Sequence, residues 1–213
     1  MIGLVCLIFA TYFTLAAGYH MICRLILKKA AQQLKDKSLM VVFGSGGHTT
    51  EMLHMLSELK PERYRNVVFI VGHTDTWSLT KLESFLTTTQ LKQVTIERLF
   101  RAREVKQSYL TSIGTTLIGL LDSLRLILIY RPDLVVTNGP GTAVPLCYAS
   151  FIVQKCLLVK PTSKLLFIES FCRVKTLSLS GKLLKPIVDK FVVQWPDLAD
   201  GSKVEYLGKN KFV

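Results

Sequence analysis

Acidic residues are scarce in this chain: 15 Asp and Glu stand against 27 Lys and Arg, a formal charge of +12 over 213 residues. Such an excess points to anionic partners, namely phospholipid head groups, phosphorylated substrates or nucleic acid. No aromatic-plus-basic repeat, zinc-finger spacing or RNA-binding signature is present, so nucleic acid has the least support and none is expected. No CxxC pair occurs among the five cysteines (Cys6, Cys23, Cys147, Cys156 and Cys172), which argues against a disulfide framework or a zinc site and for the reducing cytosol. An Asp-x-Asp sugar-nucleotide signature is also missing, and neither a metal nor a cofactor is expected. Repeats, low-complexity tracts and long linkers are absent too. With 49% hydrophobic and 20% charged residues, the sequence reads as one α/β domain, or half of a two-domain enzyme, plus an anchor.

The longest gap in charge is at the start: Ile2 to Ile22 contains no Asp, Glu, Lys or Arg. About 20 helical residues at about 1.5 Å each cover the ~30 Å hydrocarbon core of a bilayer. Arg24, Lys28, Lys29, Lys35 and Lys37 follow at once, so the flank stays cytosolic and the N-terminus lies on the far side of the membrane. Tyr12 and Tyr19 suit the interface. Ala16-Ala17-Gly18 offers a competing signal-peptide cleavage site, but no Lys or Arg precedes the apolar run and the basic cluster behind it acts as a stop. The expected division is a transmembrane anchor over residues 1–27, a basic linker over 28–38 and a folded lobe over 39–213.

Beyond the anchor, short apolar runs alternate with helical patterns. Leu39–Phe43, Asn66–Val71, Gln93–Glu97, Leu134–Thr137, Leu165–Ile168 and Lys190–Val193 read as strands. Helices are expected from Thr49 or Thr50, as cap, to about Leu59 before Pro61, from Ser108 to Tyr130 with Asp122 and Arg125 interrupting, from Thr142 to Val153, and from Leu177 to Leu184. The alternation predicts a doubly wound, Rossmann-like parallel sheet, with ligands at the carboxyl ends of the strands.

The polar, glycine-rich clusters fall at those ends. Gly44-Ser45-Gly46-Gly47-His48-Thr49 joins the first strand to the first helix, where flexible backbone and a helix N-terminus favour a phosphate. It is not a Walker loop, and Thr49 stands where the dinucleotide fingerprint requires its third glycine. The second strand ends in Val71-Gly72-His73, without an acidic ribose ligand. His48 is a candidate base or phosphate donor, or alternatively a helix-capping residue; His54 and His73 are weaker candidates. Asn138-Gly139-Pro140-Gly141-Thr142 is either a ligand loop or a plain turn. In Glu169-Ser170-Phe171-Cys172-Arg173, the Glu and Arg either pair with each other or serve a base and a phosphate. Arg98, Arg101, Arg103 and Lys106 form a basic run, read as a solvated face or as contacts to lipid phosphates.

In this order, the anchor, Val42–Thr49, Arg101-Ala102-Arg103-Glu104-Val105, Asn138–Thr142, Phe167–Val174 and Gln194-Trp195-Pro196-Asp197 resemble the membrane-anchor subunit of the eukaryotic UDP-N-acetylglucosamine transferase acting second in dolichol-linked oligosaccharide assembly. More distantly, the chain is similar to the N-terminal half of the bacterial peptidoglycan lipid glycosyltransferase. The resemblance implies a GT-B fold split between two polypeptides. This chain would supply the membrane tether and acceptor lobe, and a soluble catalytic subunit would hold most of the UDP-sugar. Together they would add N-acetylglucosamine, with inversion, to N-acetylglucosaminyl-diphospho-dolichol on the cytosolic face of the endoplasmic reticulum, the chain alone being inactive. On this reading Gly44, Ser45, Gly46, Gly47, Thr49 and Arg173 hold the acceptor diphosphate, and His48 and Glu169 are the catalytic candidates. Asn138, Gly139, Pro140, Gly141, Thr142 and Ser170 form active-site loops, and Arg101, Arg103 and Lys106 meet lipid phosphate. The stretch Val204–Val213 resembles the family's tail, which implies packing on the catalytic partner; the alternative is a final edge strand with a frayed end. The competing readings are a non-catalytic membrane scaffold and a self-sufficient phosphate- or nucleotide-dependent Rossmann enzyme.

Overall fold

In the computed structural model, which describes residues 37–59, 64–89, 91, 93–101, 109–139, 141–206 and 208, the apolar runs become the strands of one seven-stranded sheet. In chain order the elements are β1 (Lys37–Val42), α1 (Gly47–Ser57), β2 (Tyr64–Gly72), α2 (Thr76–Thr88), β3 (Val94–Leu99), α3 (Tyr109–Tyr130) and β4 (Leu134–Thr137). Then come α4 (Ala143–Ser150), a π-helical turn (Phe151–Cys156), β5 (Lys164–Ile168), α5 (Leu179–Leu184), β6 (Lys190–Val193), a 3-10 turn (Pro196–Leu198) and β7 (Val204–Tyr206). Every pairing is parallel, and the strand order is β3-β2-β1-β4-β5-β6-β7.

Burial on both faces explains why the strands read as continuous apolar runs rather than alternating ones. Leu39, Val41, Phe43, Val67, Phe69 and Val71 share one core with Met52 and Leu56 of α1 and Leu82 of α2. Their sequence neighbours Met40, Val42, Val68 and Ile70 turn to the other face, where they join Leu126 and Ile127 of α3, Leu146 of α4 and Leu184 of α5. Because the chain runs outward from β1 to β3 and then returns to β4 beside β1, the switch point lies between β1 and β4. At such a point the following loops diverge and leave a crevice above the carboxyl ends of the strands.

The opposite, amino-terminal end is closed by two carboxylates. Asp133 accepts hydrogen bonds from the Ser38 amide (2.8 Å) and hydroxyl (3.0 Å) and pairs with Lys160 at 2.7 Å, locking the start of β1 to that of β4. Asp189 accepts from the Leu165 amide at 2.8 Å and pairs with Lys155 and with Lys164 at 3.2 Å, tying β5 to β6. Burial works to raise both carboxyls, but Lys160 and Ser38 around Asp133, and Lys155, the Leu165 amide and Lys164 around Asp189, hold them below the ordinary carboxylate range.

Three features differ from the sequence reading. Helix α1 begins earlier, with Gly46 as its cap at φ +65° and no side-chain cap, so Thr49 sits inside the first turn. Helix α2 was not anticipated; its cap is Asp75, whose carboxylate accepts from the Ser78 amide at 3.0 Å. Helix α4 ends at Ser150 and continues as a π-helical turn. Helix α3, in contrast, spans nearly the expected Ser108 to Tyr130; Asp122 and Arg125, which interrupt its apolar residues, pair at 3.0 Å, and Asp122 also receives the Phe100 amide at 3.0 Å. Among the described residues no helix is long and apolar enough to cross a membrane. The expected anchor over 1–27, most of the linker over 28–38, Pro61, Arg103, Lys106, Pro140 and the tail over 209–213 lie outside the described residues.

Candidate functional site

Two adjoining hollows occupy the crevice, and His48, Gly139 and Gly141 border both. The smaller, about 240 Å³, is polar and lies on the β1–β3 side, lined also by Gly44, Ser45, Asp75, Arg101 and Thr142. The larger, about 1040 Å³, opens toward α3, α4 and α5 and carries Gly47, Glu51, Glu169, Ser170 and Arg173 together with the apolar Leu117, Val144, Pro145, Leu179 and Leu183.

The loop after β1 is braced from below. The Thr49 hydroxyl donates to the Gly44 carbonyl and lies 2.6 Å from the Ser78 hydroxyl, which is itself 2.7 Å from Asp75. Thr49 is therefore fully buried and engaged, so its expected role on the diphosphate narrows to shaping the loop. Ser45, Gly46 and Gly47 are exposed above it. At Gly46 (φ +65°) a Cβ would meet no atom within 4 Å, so glycine is required there by backbone conformation rather than by space. No side chain caps the start of α1, which borders the crevice through Gly47 and His48 and favours negative charge there, while the Thr49 amide is taken by the Gly46 carbonyl at 3.2 Å.

His48 is half-buried, and its Nδ1 is enclosed with no hydrogen-bond partner. Its carbonyl accepts from Asn138 Nδ2 at 2.6 Å, which joins the loop after β1 to the loop after β4 across the switch point. Asn138 is completely buried, and its Oδ1 is likewise unpartnered. Among the described residues the third such atom, Gln154 Oε1, is in the π-helical turn. Gly139 adopts φ +100°, and a Cβ there would lie 3.4 Å from the Phe167 ring. His54 is exposed, and His73 stacks on Phe100 at 5.1 Å, so neither enters the crevice.

Glu169 and Arg173 do not pair. Glu169 is 1% exposed; its Oε2 accepts from the Ser178 amide (2.9 Å) and hydroxyl (3.1 Å), and its Oε1 from the Ser170 amide (3.2 Å). Both oxygens are thus engaged in fastening the end of β5 to the start of α5. Arg173 is exposed at the rim of the larger hollow, leaving its guanidinium available to an anion. The Trp195 indole donates to the Phe171 carbonyl at 2.8 Å and packs on the Phe171 ring at 5.0 Å, so the Gln194–Asp197 motif buttresses this loop.

Arg101 departs from its expected place on a membrane-facing basic run. Its side chain is 14% exposed and bends over Gly72, where a Cβ would come within 2.9 Å of Nε, to reach Asp75 at 3.5 Å. The missing Cβ opens that path and the carboxylate draws the guanidinium in, which puts a cation in the smaller hollow. Glu51 was not singled out from sequence. It receives the Ser170 hydroxyl at 2.9 Å, from a residue 119 positions away, and no local spacing signals that pairing.

A family model described as "Oligosaccharide biosynthesis protein Alg14 like" matches residues 39–210. A UDP-N-acetylglucosamine transferase subunit ALG14 from Yarrowia lipolytica is 41% identical over 176 residues, covering 81% of both chains. The protein of the same name from Mus musculus is 37% identical and covers 97% of this chain and 94% of its own; that from Homo sapiens is 39% identical over 81% and 82%. Among solved structures, the Acinetobacter baumannii MurG crystal structure superposes with a TM-score of 0.56 at 18% identity, covering 80% of this chain. The chain spans 44% of that MurG chain, and the likeness bears out, at the level of fold, the expected relation to a bacterial GT-B enzyme. The sheet order, the crevice loops and the match over residues 39–210 agree: this chain belongs to the Alg14-like family of oligosaccharide biosynthesis proteins.

Proposed function

We propose that this chain is the acceptor-binding, membrane-tethered subunit of a two-subunit inverting UDP-N-acetylglucosamine transferase. It adds the second N-acetylglucosamine to N-acetylglucosaminyl-diphospho-dolichol at the cytosolic face of the endoplasmic reticulum. The observation that carries the reading is the crevice at the β1/β4 switch point, where an uncapped helix N-terminus stands beside a hollow with one apolar wall. A lipid diphosphate sugar has that mixture of double negative charge and hydrocarbon. The relatives' printed name, a subunit of a UDP-N-acetylglucosamine transferase, supports a separate soluble chain that brings the donor.

On this reading the amides from Ser45 to His48 grip the diphosphate, with the His48 ring beside it and Arg101 and Arg173 supplying positive charge from the two hollows. Leu117, Leu179 and Leu183 take the first prenyl units. Leu117, Ile118, Leu121, Leu128 and Ile129 leave an apolar stripe along α3, with Leu121 as much as 68% exposed, which suits contact with the bilayer alongside the proposed anchor over 1–27.

A transfer assay on a short-chain lipid-diphosphate N-acetylglucosamine acceptor tests the reading when run with this chain, with the soluble partner, and with both. Transfer by the pair alone is the expected result. Turnover by the partner without this chain would reduce it to a scaffold, and turnover by this chain unaided would make it a self-sufficient enzyme.

A further inference from the structure

Three carboxylates border the two hollows: Asp75 the smaller, Glu51 and Glu169 the larger. Asp75 caps α2 and pairs with Arg101. Glu169 has both oxygens engaged by Ser170 and Ser178. Glu51 differs. Its Oε1 receives the Ser170 hydroxyl at 2.9 Å, which sets the orientation of the carboxylate, while Oε2 has no donor among the described residues and faces the hollow's ligand space. Glu51 is also one helical turn beyond His48 on α1, so the two share a face, and both line the larger hollow. A diphosphate held at the first turn of α1 therefore has Glu51 about one turn away, on the same helix face and in the same hollow.

Resting on the functional reading above, we infer that Glu51 is the catalytic base that takes the proton from the attacking acceptor hydroxyl, with Ser170 as its positioning residue. In the step, the hydroxyl oxygen forms the new bond to the anomeric carbon of the nucleotide sugar. The bond from that carbon to the diphosphate oxygen breaks on the opposite side, and uridine diphosphate leaves with the electron pair. The hydroxyl proton passes to Glu51. His48 keeps the neighbouring diphosphate in place, and Glu169 fastens the loop that carries Ser170.

The test is steady-state transfer by the reconstituted two-chain complex carrying Glu51→Gln, which preserves shape and removes the base. We expect kcat to fall about 10²- to 10⁴-fold, the usual worth of a general base, with the acceptor KM within about threefold of wild type. Ser170→Ala, whose fold and partner binding are read by thermal melting and co-purification, lowers kcat by about 5- to 10-fold through loss of one charge-assisted hydrogen bond, again without a matching rise in KM. A Glu51→Gln complex with undiminished kcat overturns the inference, and so does one whose whole loss appears in KM, since Glu51 would then only hold the sugar. Absence of transfer by the wild-type complex overturns the functional reading itself and this inference with it.

Discussion

At the amino ends of the strands Asp133 is met by Ser38 and Lys160, and Asp189 by Leu165, Lys155 and Lys164. At the carboxyl ends, among the described residues, His48 Nδ1 and Asn138 Oδ1 are enclosed without a partner, Glu51 has one oxygen without a donor, and Arg173 stands unpaired at a rim. The lower end uses its charges to hold strands in register. The upper end keeps polar groups in reserve, at the place where a parallel sheet leaves a crevice. Buried polar groups without partners cost stability, and two of the three such atoms among the described residues are at the switch point, which fits the proposed ligand site.

If the two ends divide stability from function in this way, variants should separate along the same line. Beyond Glu51→Gln, the largest effect belongs to His48→Ala, expected to lower transfer kcat/KM by about 10²-fold or more while leaving Tm within about 2 °C, because the removed ring has no partner at Nδ1 among the described residues. A matching collapse of Tm would make His48 a structural residue and erase the contrast. Next is Gly181→Ala, which crosses it: the added Cβ would be 2.5 Å from Glu169 Oε2 and 3.1 Å from the Phe191 ring. We expect a loss of about 1–3 kcal/mol, as for overpacking in a core, and slower transfer as the Ser170 loop loosens.

Smaller effects are expected at the lower end. Asp133→Asn weakens its pairing with Lys160 at a partly exposed site, so about 1 kcal/mol and a Tm drop of about 2–4 °C are expected, with kcat/KM unchanged. The pH dependence has a fixed sign. Asp133 and Asp189 are held below their ordinary range, so their contribution is complete above about pH 4 and is lost as pH falls through the lowered folded values. Thermal melts of Asp133→Asn/Asp189→Asn should therefore show a shallower acid decline than wild type. Smallest is a labelling difference: burial pushes the Cys147 thiol up to about 12, while Cys156 and Cys172 are exposed. Maleimide should reach the latter two in the folded protein and Cys147 only after unfolding.

Much of this contrast was legible in the sequence, because parallel strands announce themselves as short apolar runs and their carboxyl-end loops as glycine-rich or polar clusters. The loops after β1, β4 and β5 were all placed from that pattern. Helix α2 escaped it: Thr76 to Thr88 is rich in Ser, Thr and aromatics of middling helix propensity, and only Ser78 and Leu82 are fully buried. Arg101 read as one member of a basic run, since the absence of a side chain on Gly72, which lets it fold inward, is a fact of strand pairing and not of spacing. Glu51 is indistinguishable from any charged helical residue until the fold brings Ser170 against it. Local patterns reveal elements, and the pairing of distant loops decides which polar residues are engaged and which are kept for a ligand.

The most direct test of the central claim is equilibrium binding of a soluble, short-prenyl diphosphoryl N-acetylglucosamine to the full chain, followed by calorimetry with wild type, Gly46→Val and Asp133→Asn. Saturable binding that inorganic pyrophosphate competes away is the expected result for wild type. Gly46→Val should abolish it by forcing a β-branched residue into φ +65°, and Asp133→Asn should leave it untouched. Equal binding by wild type and Gly46→Val, or loss with Asp133→Asn alone, would contradict a diphosphate cradle at the start of α1.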